Sequence, residues 1–547
     1  MNIKRAKQEI RDTIEAYLAK DEFGAYRIPE IRQRPVLLMG PPGIGKTQIM
    51  EQIASECDIG LVSYTITHHT RQSAIGLPFI REKEYGGRPF SVTEYTMSEI
   101  IASVYDRMEQ SGKKEGILFI DEINCVSETL APTMLQFLQC KSFGNQKVPK
   151  GWIIVAAGNP PEYNKSVRDF DIVTLDRVRV IPLEADFEIW KEYAYAVGIH
   201  GAVIAYLDIH RDHFYRMETT VDGKRFVTAR GWEDLSELIC VCEGLGKKID
   251  EDVVVQYIQY PRIAKDFSNY LELYYKYQKD YQTDEILSGR IRPGTLEKLR
   301  YAPFDERIEI VGLLLSRLAG EFSDSRDADR GTGELYGVLK QFRETAGIAA
   351  GTQTGDMGGT AAGTESGDAA GDPAKAESGE IDEKRPAQIL HTLIEEKKEQ
   401  VRMRIDAGQN ARALEAQYRG VFRTLEHYEL LLKERGGNLP AEEAWEILRQ
   451  AFAGDREKLR EKTERTSEML EYAFDFMEAA FGESQEMVFF ITELSVDVHA
   501  MWFIGENDCP RYYRYNKAIL FEDQGAGVRR QLDEIRSGMR GSGKTAK

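Results

Sequence analysis

The chain is 547 residues long, 42% apolar and 30% charged, with a formal net charge of −18. That length exceeds one ordinary domain and calls for two to four. No stretch reaches the roughly 18 consecutive apolar residues of a membrane span, and the acidic balance argues against a protein that grips nucleic-acid phosphates through a basic stripe.

The first element is an amphipathic helix, with Ile3, Ala6, Ile10, Ile14, Tyr17 and Leu18 on one face. It lacks the apolar core and cleavage site of a secretory signal. Next, Val36-Leu37-Leu38-Met39 reads as a buried strand that runs straight into Gly40-Pro41-Pro42-Gly43-Ile44-Gly45-Lys46-Thr47. This is the spacing of a phosphate-binding loop. Its glycines let successive N–H groups turn inward as an anion nest, Lys46 can reach the β- and γ-phosphates, and the Thr47 hydroxyl can ligate Mg²⁺. Ile49, Met50, Ile53, Ala54 and Cys57 recur at helical spacing behind it, adding a helix N-terminus to the same site. The pattern recurs at 538–545, but charged residues precede it and the chain ends two residues later. Without a strand to aim it or a helix to back it, that copy reads as a flexible basic terminus.

Further strands are expected at 61–66, 116–120, 152–157 and 178–183, alternating with helices as in a parallel sheet covered on both faces. One helix is expected to start at the capping box Thr96-Met97-Ser98-Glu99, carrying Ile100, Ile101, Val104 and Met108 inward. The strand Ile117-Leu118-Phe119-Ile120 ends in Asp121 and Glu122. A triphosphate site needs one carboxylate there to hold Mg²⁺ through water and a second to polarise the attacking water, roles that suit Asp121 and Glu122 in turn. The strand at 152–157 leads to Asn159, which can orient the same water.

Residues 1–185 thus form an α/β core. A tyrosine-rich helical segment follows at 186–290, then a helical extension at 291–343. Residues 344–384 are dominated by Gly, Ala, Thr, Ser and Asp and read as a flexible linker. A second, all-helical domain is expected at 385–536, with helices near 389–404 and 411–434 and apolar clusters at 487–491 and 501–504, before a tail at 537–547. The six cysteines are scattered and read as reduced core residues of a cytoplasmic protein; Cys240 and Cys242 share a helix. His210 and His213, beside Asp208 and Asp212, lack a third ligand and read as surface residues, and His68-His69 line either a pore, an interface or a plain surface loop.

Gly-Pro-Pro-Gly-Ile-Gly-Lys-Thr (40–47), Phe-Ile-Asp-Glu-Ile-Asn (119–124), Ala-Gly-Asn-Pro (157–160), Leu-Asp-Arg (175–177) and Thr-Ala-Arg-Gly-Trp-Glu-Asp-Leu (228–235) together resemble an AAA+ ATPase of the MoxR type. The resemblance covers about residues 20 to 290. It implies a five-stranded sheet of order 5-1-4-3-2, a helical lid after it, and a hairpin at 142–149. It assigns Asn159 to sensor 1, Arg230 to sensor 2, and Arg177 to the finger that reaches a neighbour's γ-phosphate; Arg168 and Arg179 are the alternatives for that finger. Arg230 has a separate physical argument, since a guanidinium at a helix start is unfavourable without an anion. ATP with Mg²⁺, a homo-oligomeric ring (a hexamer), and a protein client carrying a von Willebrand factor A domain are implied as well. The expected function is an ATP-hydrolysing machine that remodels or activates that client. A nucleic-acid-dependent motor is the alternative, which the missing basic groove disfavours. A small-molecule kinase leaves Asn159, Arg230 and the lid unexplained.

Overall fold

The computed structural model describes residues 1–68, 70–143, 146–163, 170–220, 223–348, 385–406, 411–435 and 439–519. Five parallel strands form the central sheet: β1 Val36–Met39, β2 Gly60–Thr65, β3 Gly116–Asp121, β4 Trp152–Gly158 and β5 Arg179–Pro182. Their order is β2-β3-β4-β1-β5, the 5-1-4-3-2 arrangement expected. Because side chains alternate across a strand, each strand feeds two cores. Val36, Leu38, Phe119 and Val155 pack with Ile10, Ile14, Met50 and Ile53 from the helices Ile3–Leu18 and Lys46–Glu56. Leu37, Leu118, Ile120 and Ile154 face the other way, onto Ile101, Val104, Met134 and Phe137 from the helices Glu99–Ser111 and Ala131–Cys140. Strands buried on both faces explain the near-continuous apolar runs.

One local expectation fails. The helix before β3 starts at Glu99 with Ser98 at its cap position, and Thr96 lies outside it. Instead the Thr96 hydroxyl oxygen accepts from Leu77 N (2.8 Å) and Thr96 N donates to Leu77 O (2.9 Å), closing an antiparallel hairpin of Pro78–Tyr85 with Arg88–Tyr95. Ser98 Oγ donates to Ala74 O and so is also taken. The hairpin turns at Gly86-Gly87, both at positive φ, as a two-residue turn that matches strand twist requires.

After β5 the chain builds the lid. The helices Phe187–Val197, Gly201–Ile209, Ala229–Gly244 and Pro261–Tyr281 gather Trp190, Tyr206, Trp232 and Phe267 into one core. Within this helical segment lies a hairpin that was not anticipated, Arg216–Thr220 paired with Gly223–Val227. A 42-residue helix, Phe304–Thr345, comes next among the long elements. Its first half (Leu314, Leu318, Phe322) packs with Phe474, Phe490 and Phe503, and its second half (Leu335, Leu339, Phe342) with Leu390, Leu425 and Leu448. Residues 304–345 and the described residues of 385–519 therefore share two cores. The helices Pro386–Asp406 and Ala411–Glu434 lie where their periodicity predicts. Residues 349–384 of the expected linker, the tail at 537–547 and with it the second loop motif, and His69 lie outside the described residues.

Among the described residues no single helix is long and apolar enough to cross a membrane. The pair Gln485–Val496 and Val498–Asn507 passes that test only jointly, is bent by 90°, and buries Phe490, Ile491, Phe503 and Ile504 in the C-terminal core.

Candidate active site

The phosphate-binding loop leaves β1 at the carboxyl end of the sheet, where β1, β4 and β3 are neighbours. Ligand sites of open α/β sheets collect at such ends. Gly40 cannot carry a side chain, because a Cβ there would stand 2.6 Å from Leu183 Cβ just past β5. Gly45 sits at φ +88 and starts the helix Lys46–Glu56, which no side chain caps. Its first-turn N–H groups are thus left for an anion.

Lys46 lies 8% exposed inside the loop. Its Nζ donates to Gly40 O (2.8 Å), Pro41 O (3.0 Å) and Asn159 Oδ1 (2.8 Å). These three bonds tie the loop to the end of β4. Burial lowers the Lys46 ammonium to about 8; the Asp121 carboxylate opposes that shift, and the Arg230 guanidinium adds to it.

Thr47 Oγ1 donates to Asp121 Oδ2 (2.9 Å), and Asp121 Oδ1 accepts from Glu122 N (2.9 Å). A hydroxyl and a carboxylate in contact are hard oxygen donors. They suit Mg²⁺, which keeps several waters and takes one or two protein oxygens plus phosphate. Among the described residues no group of three His, Cys, Asp or Glu could cage a metal alone, so His210 and His213 build no such site. Instead their rings stack, and His213 Nδ1 lies 2.8 Å from Tyr206 OH.

Glu122 adopts φ +56, a left-handed conformation unusual outside glycine. The strand ends at Asp121, and Ile123 N still bonds Ala157 O (2.9 Å), so the turn at Glu122 is fixed from both sides. Asn159 is fixed as well. Asn124 Nδ2 donates to Asn159 O (2.8 Å) and Asn124 Oδ1 accepts from Asn159 N (3.2 Å). Asn124 was part of the quoted motif, but its reciprocal clamp was not anticipated.

The lid meets the loop directly. Arg230, second residue of the helix Ala229–Gly244, donates its backbone N–H to Gly43 O (3.3 Å), while Thr228 caps that helix through Gly231 N (3.2 Å). Tyr215, another residue missed, donates its hydroxyl to Pro42 O (2.9 Å). Beside the loop lies a cavity of about 290 Å³ lined by Ile3, Ile44, Trp190, Phe214 and Val498.

The three finger candidates part company. Arg177 is exposed just before β5, bonded to Gln139 of the helix Ala131–Cys140. The strands run parallel and the loop follows their carboxyl ends, so Arg177 stands at the opposite edge from its own chain's loop. Arg179 is committed inside the fold, paired with Glu9 and bonded to Thr13. Arg168 lies outside the described residues.

Residues 36–174 match the family model described as "ATPase family associated with various cellular activities (AAA)". That segment, similar to an AAA-type ATPase domain, holds the loop, Asp121, Glu122 and Asn159. Among solved structures, a candidate ATPase from Cytophaga hutchinsonii is 18% identical, with a TM-score of 0.19. The match covers 33% of this chain and 52% of that one, so the chain spans about half of that protein's length. No curated protein matches.

The Lys46 environment gives a pH dependence. A phosphate-binding lysine must be cationic, and in the free protein Lys46 is protonated only below about 8. Nucleotide affinity, followed by fluorescence titration, therefore falls as pH rises past about 8, by up to tenfold per unit. Arg230→Ala removes a charge that lowers Lys46, so its fall begins at higher pH. A flat wild-type profile from pH 7 to 10 contradicts this assignment.

Proposed function

We propose that this chain is a MoxR-type machine that hydrolyses ATP to remodel or activate a partner protein. The observation carrying the ATPase part is the bonded cluster at the ends of three adjacent strands: Lys46 with Asn159, Thr47 with Asp121, and Glu122 one residue on. In this reading the triphosphate settles on the loop N–H groups, and Lys46 exchanges its bonds to Gly40 O and Pro41 O for phosphate oxygens. Thr47, and Asp121 through water, would hold Mg²⁺, which when bound offsets phosphate charge. Glu122 accepts a proton from the attacking water, and Asn159, held by Asn124, orients that water. Arg230 reads the γ-phosphate from the lid. Little covalent chemistry falls to the protein, so positioning and charge dominate.

The ring reading has its own support. Arg177 is followed and preceded by exposed apolar side chains: Ile172 is 85% exposed, and Val173, Leu175 and Val180 are exposed as well. Clustered exposed apolar side chains of this kind mark an interaction surface. A neighbour packed there receives Arg177 at its own loop, which suits a homo-oligomeric ring, a hexamer by family likeness. We assign the protein to the cytoplasm on its cysteine usage and triphosphate substrate.

The client is taken to be a protein with a von Willebrand factor A domain. Such a protein, encoded beside this chain, is expected to co-purify with it and raise its rate of phosphate release. Neither binding nor stimulation across the neighbouring candidates overturns the client assignment while leaving the ATPase reading in place.

A further inference from the structure

The cavity beside the loop at Gly43–Gly45 has a wall from far along the chain, at Val498. It meets the loop at Gly43, Ile44 and Gly45, and it joins apolar side chains (Ile3, Ile189, Trp190, Phe214) to polar and charged ones such as Lys4, Gln48, Asp186 and Glu233. Lys46, bonded to Gly40 O and Pro41 O, does not line it. The cavity, about 290 Å³, therefore offers space for the base and ribose of a bound nucleotide, with apolar side chains to cover the base and polar groups to fix it, as small-molecule sites have. Val498, the first residue of the helix Val498–Asn507, lines the same cavity and is 42% exposed, leaving apolar surface for a ligand to cover.

What holds Val498 there is the helix Phe187–Val197. Ile189, Trp190 and Tyr193 of that helix line the cavity. Other residues of it are bonded to the C-terminal helices. Lys191 Nζ, 2% exposed, lies 2.6 Å from both Asp208 Oδ2 and Glu493 Oε1. Tyr195 OH donates to Glu493 Oε2 (2.7 Å), and His499 Nε2 lies 3.3 Å from Ala196 O, one residue from Val498. A buried ion pair of this kind is costly to break by removing one partner, and so it fixes how two units sit together.

From this geometry we infer that the C-terminal helical unit is part of the nucleotide site: Val498 forms one wall of the base pocket, and docking of the C-terminal helices is thermodynamically linked to base binding. The inference rests on the ATP reading above. Linkage is reciprocal, so base binding also strengthens the docking of those helices. A client engaged by the C-terminal unit would then sense nucleotide directly, without a signal passing through the sheet.

The test separates base from phosphate. Wild-type protein and Val498→Asp are titrated with ATP and, separately, with inorganic tripolyphosphate, which has no base. The expected result is that Val498→Asp loses roughly tenfold in ATP affinity, the scale of a disturbed apolar pocket, and keeps wild-type affinity for tripolyphosphate. Retained tripolyphosphate binding also shows that the loop is folded in the variant. Val498→Ala, a milder change at the same place, should lower ATP affinity in the same direction by less. Unchanged ATP affinity in both variants overturns the inference, and so does an equal loss for ATP and tripolyphosphate. Wild-type protein that binds neither ligand overturns the ATP reading itself, and the inference falls with it.

Discussion

Glu122→Gln is expected to hold ATP as tightly as the wild type and to release phosphate about 10²–10⁴ times more slowly, the usual worth of a positioned general base. The change is nearly isosteric, and the bond from Glu122 N to Asp121 Oδ1 is a backbone bond that survives it. Only the ability to take a proton is lost. The left-handed conformation at Glu122 costs about 1–3 kcal/mol for a residue with a side chain. Such strain persists only where surrounding contacts impose it, here the flanking bonds of Asp121 and Ile123. Equilibrium binding and phosphate release measured on one preparation decide the matter. A variant that hydrolyses at the wild-type rate means that another group activates the water.

Arg177→Ala should cost about 10³–10⁵-fold in turnover, the worth of an arginine finger, while each chain goes on binding ATP. The loss is expected because Arg177 is exposed at the strand end opposite its own loop, where its hydrogen bond is to the neutral Gln139. Wild-type turnover in the variant would return the finger role to Arg168. Arg179 is a poor substitute, since freeing it means breaking its ion pair with Glu9 and its place in the β5 register.

Much of this site can be read along the chain because its parts sit at the ends of strands buried on both faces. A strand of that kind is a continuous apolar run, so the polar residue that ends it stands out: Gly40 after Met39, Asp121 after Ile120, Asn159 after Gly158. Strand context also distinguishes the loop at 40–47 from the pattern at 538–545. The hairpin at 78–95 was missed for the opposite reason. It buries no face, with Ile80, Tyr85 and Phe90 exposed, and its Gly86-Gly87 turn was the available signal. That omission also misplaced the helix start, because Thr96 belongs to the hairpin's closure and not to a cap.

Other features have no local signature at all. Nothing around Lys191 announces a partner 302 residues away in Glu493, and nothing around Val498 announces a cavity beside Gly43. Asn124 looks like one more polar residue after a strand until its two bonds to Asn159 are seen. Three arginines within a dozen residues are equivalent in composition. Only the pairing of Arg179 with the first helix and the exposure of Arg177 tell two of them apart.

A hydrolytic site built by one chain and completed by the next can be reassembled from two inactive variants. A Glu122→Gln chain keeps its finger, and an Arg177→Ala chain keeps its loop and base, so every mixed interface in which the Glu122→Gln chain supplies the finger contains a complete site. Phosphate release from ATP by the mixture is predicted to rise well above that of either variant alone. A mixture no more active than the sum of its parts would contradict a shared site.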